Sequence, residues 1–301
     1  MSLQTNWGSL VAWYLFLAGA GAGVYMVAAL ATFGGKSSRF LVRPGVFLGA
    51  PLVAAGSLLL LLDLGRPERF LYAVLRPFSS MISVGTIILS VFLLIGFWHL
   101  WLLGPGRRKE DAVPRWLVAL GAIFAVGTAT YTGLLLGVVR AIPFWNNPLL
   151  PFLFLVSSAS SGLGIVLLWG VLQRRSTALE DREGPTLPIL QDMARIDSGL
   201  LVLEALLLLF FLLVMVNSGP AAAASVGLLV SGGYAAIFWL LVIGIGLLLP
   251  LGLEIWMSRQ HARQAVTGLH TLAAISGLCL LAGSLSLRYI ILLAGAKMPL
   301  W

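Results

Sequence analysis

The chain has 301 residues, of which 59% are hydrophobic and only 10% charged, with a formal net charge of +8. Soluble domains are about one-quarter charged, so this balance, with a mean hydropathy of +1.00, excludes a soluble globular protein. Strand-period alternation is absent and the apolar runs far exceed the roughly 10 residues of a membrane β-strand, which excludes an outer-membrane barrel.

A spanning helix needs about 20 mostly apolar residues. In chain order, eight stretches meet that need: Ser9–Thr32, Pro44–Leu64, Met81–Leu103, Leu117–Val139, Pro151–Gln173, Ser198–Asn217, Gly233–Trp256 and Thr267–Gly295. The expected fold is therefore an all-α integral membrane protein with eight transmembrane helices. No Lys or Arg precedes the first apolar run, so it is read as a span and not as a cleavable signal peptide.

The basic residues set the expected sidedness. The connections after spans 1, 3, 5 and 7 hold thirteen of the nineteen Lys and Arg, among them Lys36, Arg107, Arg108, Arg174, Arg175 and Arg263. By the positive-inside rule those loops are cytoplasmic. The protein is then a multi-pass component of the inner or cytoplasmic membrane, with both termini outward, periplasmic or extracellular. Basic clusters placed this way encode topology, so the positive charge calls for the lipid bilayer as partner and for no nucleic acid.

Tyr14-Leu-Phe-Leu followed by Ala18–Gly23 resembles Phe152-Leu-Phe-Leu followed by Val156–Ser161. An offset of four spans preserves orientation. Within one membrane domain of residues 1–301, the similarity is compatible with two parallel four-helix units, 9–140 and 151–295, or with chance in a biased sequence.

Ionisable groups inside a bilayer cost a few kcal/mol each and ask for a reason. Asp63 ends the second span and reads as a proton-exchanging carboxylate or a loop salt bridge. Tyr131 on the fourth span and Tyr14 on the first read as hydrogen-bond donors or as belt aromatics. Arg288, near the outward end of the last span, reads as a ligand contact or as a side chain snorkelling to the headgroups. A carboxylate, a phenol and a guanidinium at similar outward depth suit a quinone headgroup, which needs hydrogen bonds at its carbonyls and a proton-exchanging neighbour.

Asp197, Glu204 and Glu254 lie on the inward side. With Thr128 they outline a proton path, or Asp197 and Glu254 simply mark the cytoplasmic interface. One cysteine, Cys279, allows no Cys-ligated iron–sulfur cluster, and three histidines leave little room for haem, although His99 and His270 offer one bis-histidine pair. No metal site is expected. Gly19-x-x-x-Gly23 and Gly133-x-x-x-Gly137 read as helix contacts and not as nucleotide loops, having no P-loop Lys or Rossmann context.

Four segments, in order along the sequence, resemble the NrfD/PsrC family of polysulfide-reductase-type membrane subunits. They are Tyr14-Leu-Phe-Leu-Ala-Gly-Ala-Gly-Ala-Gly23; Asp63-Leu-Gly-Arg-Pro-Glu-Arg-Phe70 running to Ser79-Ser-Met-Ile-Ser-Val-Gly85; Tyr131-Thr-Gly133 leading to Pro143-Phe-Trp145 and Pro151-Phe152; and Leu287-Arg-Tyr-Ile290 followed by Ala294-Gly295. The resemblance implies a haem-free subunit that binds menaquinone or ubiquinone near the outward face. It also implies docking of a ferredoxin-like iron–sulfur subunit, itself bound to a molybdopterin catalytic subunit, so the protein is not catalytic alone. The family's quinone-contacting tyrosine maps onto Tyr131. A histidine used by some members on the first helix falls at Tyr14, with Val11 where a further polar partner is expected. The outward loops Gly65–Ser80 and Arg140–Leu150 are the expected partner platform, with Arg69, Arg76 and Trp145 as anchors. A secondary transporter and a passive anchor without a working quinone site are the competing classes.

Overall fold

A computed structural model describes residues 8–34, 39–63, 80–103, 113–176, 187–259 and 266–296. Among these the regular structure is entirely helical: α1 (Ser9–Phe33), α2 (Arg39–Asp63), α3 (Met81–Leu102), α4 (Arg115–Gly137), α5 (Leu149–Ser176), α6 (Leu187–Asn217), α7 (Pro220–Val230), α8 (Ile237–Arg259) and α9 (Val266–Ala296). All but α7 are long and apolar enough to cross a membrane. Eight crossings bring the start of α1 and the end of α9 to one face, called here the terminal face.

The spans fall within a few residues of the predicted stretches, with three differences. Helix α6 begins at Leu187 and not at Ser198. The polar Gln191, Asp192 and Arg195 conceal its first three turns, where an exposed Arg195–Asp192 pair at 3.3 Å sits one turn apart. Helix α7 is an unpredicted element, eleven residues long and too short to span. It follows Gly219, whose φ of 126° lies in the region glycine adopts without strain. The third difference is that α8 is π-helical over Ile237–Leu248. Its buried residues there recur every fourth position, Phe238, Val242 and Gly246, and continue through Pro250 to Glu254.

Packing divides the spans into two closed circuits. Helices α1, α2, α3 and α4 touch in sequence, and α4 returns to α1; α5, α6, α8 and α9 do the same, and α9 returns to α5. The circuits meet where α1 lies on α5, flanked by α4 on α5 and α1 on α9. That central contact needs glycine. A Cβ on Gly23 would overlap the Ser158 carbonyl, and one on Gly162 would overlap Gly23 in return. Gly133 likewise abuts Leu150 and Pro151, a helix contact as the sequence predicted, whereas Gly137 lies opposite Asn147 and Trp145 of the following loop.

Candidate functional site

The first circuit buries neutral polar groups. Tyr14 on α1 is fully enclosed and Tyr131 on α4 is 4% exposed. Both belong to one core cluster and stand close enough to interact electrostatically. The space beside Tyr131 is made by Gly85 at the head of α3, where any Cβ would fall inside the phenol ring. Ser80 caps that helix, its hydroxyl accepting from the Ser83 N–H at 3.2 Å. The start of α3 is thus held against the tyrosine.

Tyr14 Oη and Thr128 Oγ1 are buried without a hydrogen-bond partner among the described residues. Leaving a buried hydroxyl unsatisfied costs about 1–3 kcal/mol. The unpartnered Tyr14 hydroxyl near the Tyr131 phenol fits a ligand that presents carbonyl oxygens in an apolar setting. These residues therefore fit a quinone headgroup.

Asp63 stands apart from the phenols. Gly56 of α2 packs on the α1 backbone, where an added Cβ would meet the Tyr14 carbonyl oxygen at 3.2 Å. Asp63 lies seven residues farther along the same face of α2, about 10 Å nearer the terminal face at 1.5 Å per residue. It is half-buried at the last residue of the helix. Asp63 therefore sits about two turns nearer the terminal face than the Tyr14 backbone.

Two other expectations change. Trp145 is fully buried; its Nε1–H donates to the Ile291 carbonyl at 2.9 Å, and its ring fills the space left by Gly295. It ties the loop after α4 to α9 and is no docking anchor; the exposed residues of that loop are Arg140, Ala141, Pro143, Asn146 and Pro148. Arg69 and Arg76 lie outside the described residues. Arg288 does not snorkel. It is 0% exposed, and its terminal nitrogens donate to the Ser157, Ser158 and Ser284 hydroxyls and to the Ser284 and Phe154 carbonyls. Its guanidinium carbon stands 5.0 Å from the centre of the Phe154 ring. Its Nε is buried without a hydrogen-bond partner among the described residues.

The second circuit collects the acids. The buried stripe of α6 runs Leu190, Met193, Ala194, Asp197, Leu201, Glu204, Leu208 and Phe211, so both acids occupy core positions of a 3.6-residue repeat. Because α6 starts early, Glu204 lies near mid-helix and not in its inward third. Asp197 and Glu254 are 1% and 0% exposed, which overturns their reading as interface markers. Asp197 faces Glu254 and Ser160. Its two oxygens make no regular hydrogen bond, while Ser276 Oγ donates to Glu254 Oε1 at 2.8 Å. Glu204 faces Ser157 and has Arg288 and Asp197 as its charged neighbours.

Serines 157, 158 and 160 on α5 therefore serve the charged groups. The sequence showed them only as part of the internal similarity; the signal available was a Ser-Ser-Ala-Ser-Ser run inside an apolar span. Of the histidines, His99 on α3 is bonded through Nδ1 to Tyr25 Oη at 3.0 Å, whereas His270 lies on α9 in the other circuit. His261 lies outside the described residues. No group of three or more His, Cys, Asp or Glu that could hold a metal ion is found among the described residues.

The family model described as polysulphide reductase, NrfD, matches residues 1–299. The protein belongs to the NrfD/PsrC family. It is 31% identical to the C subunit of the Wolinella succinogenes polysulfide reductase, over 96% of this sequence and 94% of that one. It is also 31% identical to protein NrfD of Escherichia coli, with the same coverage. An Hdr-like menaquinol oxidoreductase integral membrane subunit of Archaeoglobus fulgidus is 28% identical over 83% of this sequence and 62% of that one. The protein is thus a multi-pass membrane subunit of the family whose members serve respiratory reductase complexes.

Proposed function

We propose that this protein exchanges electrons between a membrane quinone, menaquinone or ubiquinone, and an iron–sulfur partner. The partner is a ferredoxin-like subunit bound in turn to a molybdopterin subunit. The observation that carries the reading is the buried, unpartnered Tyr14 hydroxyl beside Tyr131, in a protein related to a subunit named for menaquinol chemistry. A bound quinone supplies two-electron, two-proton redox chemistry. The protein's own residues do the rest. Tyr14 and Tyr131 donate to the headgroup oxygens, Gly85 keeps the ring space open, and the surrounding apolar residues exclude water. Asp63, two turns nearer the surface, exchanges protons with bulk solvent.

Placing the basic loops in the cytoplasm turns the terminal face outward. The iron–sulfur partner then docks there, on the 65–80 and 140–150 connections, with Arg140 and Asn146 as exposed contacts of the latter. The paired circuits of helices support reading 9–140 and 151–295 as parallel four-helix units, quinone chemistry residing in the first. In the second, Asp197, Glu254 and Glu204 carry protons from the opposite face, with Thr128 an unpartnered hydroxyl on the first-unit side.

The test is quinol-dependent reduction of the partner's clusters in a reconstituted complex. The reading requires turnover that falls when Tyr14 and Tyr131 are both changed to Phe in an assembled complex. Unchanged turnover in that double variant refutes it. Solute flux without any partner would instead establish a transporter, and absence of both activities a passive anchor.

A further inference from the structure

We infer that Arg288 is a proton barrier: its fixed charge closes the terminal-face end of the line formed by Asp197, Glu254 and Glu204. The inference rests on those acids carrying protons, as proposed above.

The line has a definite geometry. Asp197 and Glu204 are seven residues apart on the buried stripe of α6, about 10 Å along the helix. Asp197 meets Glu254 at its lower end, and Glu204 meets Ser157 at its upper end. Ser157 Oγ is the next polar atom, and it accepts from Arg288 Nη1 at 3.2 Å. Toward the terminal face, the hydrogen bonds of Ser157 among the described residues lead into the guanidinium and its cage.

Two features stop an excess proton at that point. Guanidinium keeps its charge in proteins and has no lone pair to accept a proton. A buried cation also repels protons from any route passing close to it, as in pores that exclude them with an arginine. The serines cannot bypass it. Ser158 and Ser284 accept from Arg288, Ser158 donates to the Phe154 carbonyl at 2.7 Å, and Ser157 donates to Ser284 at 3.2 Å. Each of the three hydroxyls accepts from the cation, so a proton passed along them would stand directly beside its charge. The ionisable group facing Arg288 among the described residues is Glu204; its other neighbours are the serines, Phe154 and Gly19. At Gly19 a Cβ would stand 2.6 Å from Ser158 Oγ and 2.7 Å from Arg288 Nη2, so α1 packs directly on the cage.

Protons thus enter as far as Glu204 without an open route through the second circuit, which prevents a short circuit of the membrane potential. The experiment uses the full-length protein in proteoliposomes, with no partner and no quinone, under a potassium diffusion potential and an entrapped pH dye. Wild type and Arg288→Lys should be tight. Arg288→Gln should raise proton flux about a hundredfold, the order of effect of removing a neighbouring unit charge at an effective dielectric constant near 20. Adding Glu204→Gln to Arg288→Gln should return the flux to the wild-type level. Gly19→Ala, which keeps the charge, should stay tight.

A folded Arg288→Gln protein as tight as wild type overturns the inference, as does a leak that survives Glu204→Gln. If Arg288→Gln does not fold, a folded Arg288→Met protein as tight as wild type overturns it instead. A tight Arg288→Gln protein, with Glu204→Gln abolishing charge movement in the complete complex, removes the barrier and leaves the path. The same tightness with charge movement intact in Glu204→Gln removes the path itself.

Discussion

The two circuits share a contact pattern and differ in what they bury. The first encloses phenols, an imidazole bonded to a phenol, and hydroxyls; Tyr14, Tyr25, His99, Thr128 and Tyr131 are its polar interior. The second encloses three carboxyl groups and a guanidinium, joined through serines of α5. The first leaves neutral donors without partners, as a ligand site does. The second leaves atoms without regular partners among the described residues too, both Asp197 oxygens, Glu254 Oε2, Ser160 Oγ and Arg288 Nε among them, but these belong to charged groups and to a serine beside them. A common helical frame therefore places a neutral recognition pocket and a charged interior side by side, and the residues lining each decide which is which.

The largest effect that would break this contrast is structural. Arg288→Ala should destabilise the folded protein by about 3–5 kcal/mol, the usual result of removing one member of a buried charged set. Thermal unfolding in detergent measures it, and adding Glu204→Ala should recover part of the loss. Wild-type stability in Arg288→Ala would mean that the cage contributes nothing.

Next in size is Asp63→Asn. The amide keeps the shape but carries no proton, so quinone turnover should fall about a hundredfold, a common scale for a lost acid–base group. Full turnover across pH would reduce Asp63 to a salt-bridge partner. Tyr131→Phe should be milder, about two- to tenfold in turnover with assembly intact, corresponding to a net hydrogen bond of about 0.5–1.5 kcal/mol. Wild-type kinetics would make Tyr131 a packing residue and dissolve the pocket.

Much of the frame was legible in the sequence. The eight spans follow from apolar length alone, and Gly23 and Gly133 were rightly read as helix contacts. Helix α7 was missed because eleven apolar residues carry no spanning signal. The start of α6 was missed because charges in its first turns look like a loop, although Leu190, Met193, Ala194 and Asp197 already kept helical spacing. Side-chain surroundings were less legible. Gly85 and Tyr131 are far apart in sequence yet touch, and nothing local announces that one makes room for the other. Trp145 resembled a surface anchor because it stands in a loop, yet the loop folds it onto α9. The Arg288 cage depends on α5 crossing α9, which no spacing along one helix reveals.

The most direct test of the division between circuits records electron transfer and membrane potential together, in proteoliposomes holding the whole complex, with wild type and Glu204→Gln compared. The account predicts that the variant keeps its electron-transfer rate and loses charge movement, because Glu204 belongs to the second circuit and the tyrosines to the first. Charge movement unchanged in the variant, or both activities falling together, would contradict it.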